Sequence, residues 1–145
     1  ISQDYLLQVL RHLGLPEEAL RIIQMLYYDN FCVLSLNGSH FEGFKLSSGV
    51  RQGCPLSPLL FVVTVDLLLR RLQADVPGSI LLAFADDTAM IVESFRRDAS
   101  SVMRLYDDFA KISGLHLNLP KTVIIPLWAP ASAAAKTYIL TVSPE

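Results

Sequence analysis

Positions 80–92 read Ile-Leu-Leu-Ala-Phe-Ala-Asp-Asp-Thr-Ala-Met-Ile-Val. Two apolar stretches, 80–85 and 88–92, have the length and composition of strands, and Asp86-Asp87 falls at the bend between them. Carboxylates this close repel, and ionised groups are costly beside an apolar core unless something positive offsets them. A hard divalent cation such as Mg²⁺ does so. Such ions also catalyse phosphoryl transfer, where two of them about 4 Å apart activate a 3′-hydroxyl and stabilise the leaving pyrophosphate. Taken alone, the pair reads more simply as a solvated turn, because turns favour Asp for ordinary reasons.

Downstream, Asp98 is placed to cap a helix that runs to about Ile112 and ends at Gly114. Positions 122–127 look like a last short strand. Positions 128–145 include a run of small residues and read as a weakly ordered linker or tail. Upstream, Ser57 is a candidate N-cap, with Pro58 at the first position of a helix reaching about Gln73. Its segment 59–69 is apolar on nearly every side, so burial on more than one side is expected. A loop rich in Gly, Pro and Ser covers 47–58. Before it, 31–36 and 41–46 read as strands joined through Asn37-Gly38, both of which tolerate positive φ. Two helices open the chain. One spans 4–13, with Asp4 as N-cap and Gly14 closing it; the other begins at Pro16.

The 145 residues are 52% hydrophobic and 18% charged, which favours one folded domain over a disordered chain. The apolar run at 59–69 is broken by Thr64 and Asp66 and falls short of the roughly 20 residues of a membrane span. The first residues show no signal peptide, and the missing initiator Met points to a start within a longer product. Cys32 and Cys54 lack metal-type spacing and fit a reduced intracellular setting, its compartment open. Cys54 has no neighbouring base to make it a nucleophile. His12, His40 and His116 lack partners at ligand spacing, and Asp107-Asp108 reads as a solvated helix face. A net charge of −2 is awkward for a nucleic-acid enzyme, which needs positive surface against phosphate.

Two further blocks change the weight of the Asp pair. One is Gly-Val-Arg-Gln-Gly-Cys-Pro-Leu-Ser-Pro-Leu-Leu-Phe at 49–61; the other is Ser-Gly-Leu-His-Leu-Asn-Leu-Pro-Lys-Thr at 113–122. With Phe-Ala-Asp-Asp between them, the chain resembles the reverse transcriptase family in its non-LTR, LINE-like branch. The blocks stand in that family's order and at its usual distances, and the resemblance covers about residues 1–127.

The resemblance implies an α+β fold, a palm-type antiparallel sheet backed by helices. The palm would be incomplete here, without the first catalytic strand, the fingers and the thumb. It implies RNA-directed DNA polymerase activity, with RNA template, DNA primer and dNTPs as partners, no membrane, and two Mg²⁺ ions in the complete enzyme. Asp86 would ligate metal and Asp87 would assist. Arg51, Gln52 and Gly53 would lie near nucleotide and template, and Lys121 would face phosphate. The family's metal site needs a further aspartate from a strand before Ile1, so this chain alone is expected to be inactive. Two rival readings are an inactive polymerase relic and a palm-shaped nucleic-acid binding module.

Overall fold

A computed structural model of the chain describes residues 1–127, so the expected tail at 128–145 lies outside the described residues. The fold is α+β: among the described residues, four α-helices and two separate two-stranded antiparallel sheets. No helix among the described residues is long and apolar enough to cross a membrane.

Helix α1 spans Gln3–His12. Its cap is Ser2, not the expected Asp4; the Ser2 Oγ accepts from the Tyr5 amide at 3.4 Å. Asp4 instead lies in the first turn, where its charge favours the positive end of the helix. Gly14 follows the helix at φ +81°, the left-handed position that a residue without Cβ fills at little cost. Helix α2 covers Glu17–Tyr27, with Pro16 at the N-cap position and Glu17 and Glu18 in its first turn.

Strands β1 (Phe31–Leu36) and β2 (Ser39–Lys45) pair through Asn37 and Gly38, both at positive φ, as expected. The register slips between Cys32 and Leu34, leaving Glu42 and Gly43 opposite Val33 alone. There the strands approach so closely that a Cβ on Gly43 would sit 1.4 Å from the Cys32 carbonyl oxygen. The hairpin contributes no residue to either buried cluster. It is tied at its base by the Asn30 side-chain amide donating to the Leu26 carbonyl at 2.9 Å and by a Lys45–Asp29 ion pair at 2.8 Å.

Helix α3 (Ser57–Asp75) begins one residue earlier than expected, because the chain is already turning: Cys54 N–H donates to the Arg51 carbonyl and Ser57 N–H to the Cys54 carbonyl. Leu56 takes the N-cap position, and the Ser57 hydroxyl is buried without a hydrogen-bond partner. Burial on several sides is not what α3 shows. Ser57, Leu60, Thr64, Leu68 and Leu72 form one buried stripe, while Leu59 and Val62 are exposed. The apolar composition exceeds what the described residues can cover. Asp66 pairs with Arg70 one turn on, at 2.6 Å.

Strands β3 (Ile80–Phe84) and β4 (Asp87–Ile91) form the second hairpin. Helix α4 (Phe95–Ser113) has Ser94 at its N-cap position; the expected cap, Asp98, sits in the first turn and pairs with Arg97 at 2.7 Å. Gly114 ends α4 at φ +73°, as expected. The strand expected at 122–127 does not form. A 3₁₀ turn at Leu119–Lys121 leads into a stretch that pairs with no strand among the described residues, and Val123 and Ile125 are exposed. Apolar content alone does not make a strand.

Two clusters hold these parts together, and α1 lies between them. Leu6 and Leu10 join Leu20, Ile23, Tyr27 and Leu60. Tyr5 and Val9 join Leu68, Leu72 and Phe109. The Tyr5 and Phe109 rings meet edge to face at 5.7 Å, and the Tyr5 hydroxyl donates to the Thr64 carbonyl at 3.2 Å.

Candidate active site

The β3–β4 hairpin is the element expected to carry chemistry. Its ladder pairs Ile80 with Ile91, Leu81 with Met90, Leu82 with Ala89, Ala83 with Thr88 and Phe84 with Asp87. The two-residue turn is therefore Ala85-Asp86, and Asp87 is the first residue of β4 rather than part of the bend. Ala85 adopts φ +52°, a conformation that costs a residue with a Cβ about 1–2 kcal/mol. The tight turn lifts Asp86 to the tip. Both Asp86 and Asp87 are exposed, and among the described residues neither takes part in an ion pair.

Arg51, Gln52 and Gly53 are exposed in the loop ahead of α3, with Gly53 at φ +81°. Lys121 is the exposed last residue of the 3₁₀ turn, its amide donating to the Asn118 carbonyl at 3.0 Å. Among the described residues no hydrogen bond or ion pair links Asp86 or Asp87 to these four. They occupy three separate surface segments.

Among the described residues no three His, Cys, Asp or Glu side chains gather as a metal cage. Two adjacent carboxylates, both hard oxygen donors open to solvent, nonetheless suit an ion such as Mg²⁺, which typically binds one or two carboxylates and completes its shell with water and substrate phosphates.

Two features went unread in the sequence. The Cys54 thiol is held below its ordinary pKa, chiefly by the Leu56 amide, with Ser57 and Arg51 adding to it. The turn that brings these groups to the sulfur has no sequence signal beyond Gly53-Cys54-Pro55. The Tyr106 side chain on α4 packs against the cluster of Tyr5, Val9, Leu68, Leu72 and Phe109, and burial raises its phenol above the usual range. Nothing local in the sequence marks it.

An α+β chain that raises two carboxylates on an antiparallel hairpin backed by helices has the layout of a polymerase catalytic domain. The chain belongs to the reverse transcriptase family: residues 1–134 match the family described as "Reverse transcriptase (RNA-dependent DNA polymerase)". It is 32% identical over 127 residues to the "Retrovirus-related Pol polyprotein from type-2 retrotransposable element R2DM" of Drosophila melanogaster, covering 83% of this chain and 12% of that protein. It is 27% identical over 133 residues to a Pol polyprotein from the type-1 retrotransposable element R2 of Popillia japonica, covering 86% and 22%. A third relative, the R2 Pol polyprotein of Nasonia vitripennis, is 33% identical over 112 residues, covering 72% and 11%. The chain thus spans between about a tenth and a fifth of the length of these relatives. Its family is one of RNA-directed DNA polymerases that use divalent metal ions, and its relatives place it with non-LTR retrotransposons.

Proposed function

We propose that this chain is the palm segment of a reverse transcriptase that extends a DNA primer on an RNA template. The observation that carries the reading is the display of Asp86 and Asp87 at a hairpin end, exposed and without ion pairs among the described residues. Asp86, at the tip, would be the principal ligand of Mg²⁺, and Asp87, held in the ladder, would brace the site. When bound, the metal supplies activation of the primer 3′-hydroxyl and neutralises charge on the leaving pyrophosphate. Gln52 and Gly53 would line the nucleotide and template, the glycine letting the backbone come close. Arg51 and Lys121 would contact phosphate.

The test is primer extension by the full-length protein that carries this segment. Asp86→Ala removes a metal ligand, and losing roughly 4 kcal/mol of transition-state stabilisation lowers the rate about a thousandfold. Near wild-type extension by that variant refutes the assignment. The 145-residue chain by itself is expected to extend no primer, because one pair of carboxylates leaves the ions mostly hydrated. Extension by the short chain that vanishes with Asp86→Ala would show that all the needed ligands lie within it.

A further inference from the structure

The start of α3 runs against the chemistry of its own residues in three ways. Leu56, at the N-cap position, is itself in the right-handed helical conformation, and its side chain can accept no hydrogen bond. Ser57 lies inside the helix at 6% exposure, and its Oγ is buried without a partner. The Cys54 thiol nearby does not satisfy it, since the two complete no hydrogen bond. A hydroxyl that has lost its water and found no partner is a costly feature in a folded chain. Ser57 also stands directly before Pro58, and a proline ring disfavours the helical conformation in the residue ahead of it.

One movement relieves all three. If Ser57 turns to the extended conformation of an N-cap, Pro58 becomes the first helical residue and the Ser57 Oγ can accept from the Leu60 amide. That amide now donates to the Leu56 carbonyl at 3.0 Å, so it exchanges one acceptor for another. Other contacts hold the present start. Val50 and Leu56 pack on the cluster of Leu6, Leu10, Leu20, Ile23, Tyr27 and Leu60, and the Ser57 amide donates to the Cys54 carbonyl at 3.0 Å. The segment free to move begins after Gly49, whose amide is tied to the Ile1 carbonyl at 2.8 Å, and it contains Arg51, Gln52 and Gly53.

We propose that α3 has two starts, and that Ser57 is a positioning residue, which sets the Arg51–Gly53 loop by capping the helix when a nucleoside triphosphate binds. The proposal rests on the reading that this loop serves the nucleotide. Release of Leu56 and Ser57 from the helix lengthens the loop and lets Arg51 close on phosphate. A ligand that favours one of two states draws the population toward it, and its apparent affinity falls with the fraction of protein able to adopt that state. The Ser57 hydroxyl therefore acts in the bound protein, and in the free protein it is only an orphan.

The experiment is steady-state primer extension by the full-length protein, with melting temperatures of the same proteins, comparing Ser57→Ala, Ser57→Thr and Pro58→Ala. Ser57→Ala removes an orphan from the free protein and a cap from the bound one. Its melting temperature without nucleotide should equal or exceed that of wild type, while KM for dNTP rises about three- to tenfold and kcat holds. Ser57→Thr keeps the capping oxygen and should return KM to within about twofold of wild type. Pro58→Ala lets Ser57 stay helical and should raise KM in the same direction. Wild-type KM in Ser57→Ala would overturn the proposal, and so would a fall in its melting temperature, which would mark Ser57 as an ordinary structural cap. Arg51→Ala and Asp86→Ala run alongside separate the failures. If Arg51→Ala raises KM and Asp86→Ala is inactive while Ser57→Ala keeps its KM, only the two-state start falls. If Arg51→Ala leaves KM unchanged, the loop is no nucleotide site and the proposal falls with that reading; if Asp86→Ala is active, the polymerase reading falls.

Discussion

Truncating Leu72 to alanine tests how α3 is buried. Leu72 is 0% exposed and sits among α1, α3 and α4 in the cluster that contains Tyr5 and Phe109. Three helices around one side chain leave little room to collapse into the space it vacates. The loss should therefore fall within the range of buried Leu→Ala changes, about 3–4 kcal/mol. Unfolding entropy near 2.1 cal/mol/K per residue gives roughly 0.27 kcal/mol/K over the folded part, so the melting temperature should drop by about 10–15 °C. Leu59 lies on the same helix at 59% exposure. Its truncation should cost under about 1 kcal/mol, a shift of less than about 4 °C. Thermal melts of the chain followed by far-ultraviolet circular dichroism read both. An equal or larger loss for Leu59→Ala would show that α3 is enclosed on several sides, as its apolar composition implies, and that the single buried stripe is wrong.

Two other outcomes follow from packing and charge. In Gly43→Ala the new methyl collides with the Cys32 carbonyl, so the bulge must open. Hydrogen exchange should show lost amide protection along β1 and β2 with both clusters still protected, and unchanged β1–β2 protection would contradict the close approach. The Asp98 carboxyl is held below its usual pKa, first by its hydrogen bond to Arg97. A depressed carboxylate contributes stability above its ordinary titration range, lost as pH falls through the folded value. Asp98→Asn should therefore be less stable at neutral pH and lose less on acidification below about pH 4. A residual acid sensitivity should persist, since Lys111 likewise lowers Asp108. Denaturant midpoints parallel to wild type at every pH would refute this.

What could be read in the sequence was local. Asn37-Gly38, Gly14 and Gly114 dictate their conformations through their own backbones, so those turns and helix ends stood where expected. The α+β class followed from the resemblance to the reverse transcriptase family. The caps of α1, α3 and α4 were each misread, because Ser2, Leu56 and Ser94 are chosen by where the preceding chain turns. Residues 122–127 have strand composition, but pairing depends on a neighbour that composition does not supply. Within the candidate site, Asp86 at a hairpin end was legible from two apolar runs around an acidic pair. That Asp87 belongs to the ladder was not, because the turn could close with either Ala85-Asp86 or Asp86-Asp87. Nor could the burial of Tyr106 be found, because it depends on residues distant in the chain.

The position of α1 between the two clusters also orders how the chain folds. Leu6 and Leu10 need α2 and the start of α3, ending at Leu60, whereas Tyr5 and Val9 wait for Phe109. During synthesis the first cluster can therefore gather while α4 is still unmade, with one flank of α1 left apolar and bare. Bringing Phe109 back to Tyr5 closes a loop of about a hundred residues, an entropic cost of roughly 4 kcal/mol before any contact is rewarded. Folding speed should accordingly depend on the docking of α4. The same docking completes the cluster on which Leu81 packs, so the hairpin that bears the carboxylates is among the last parts of the chain to become rigid.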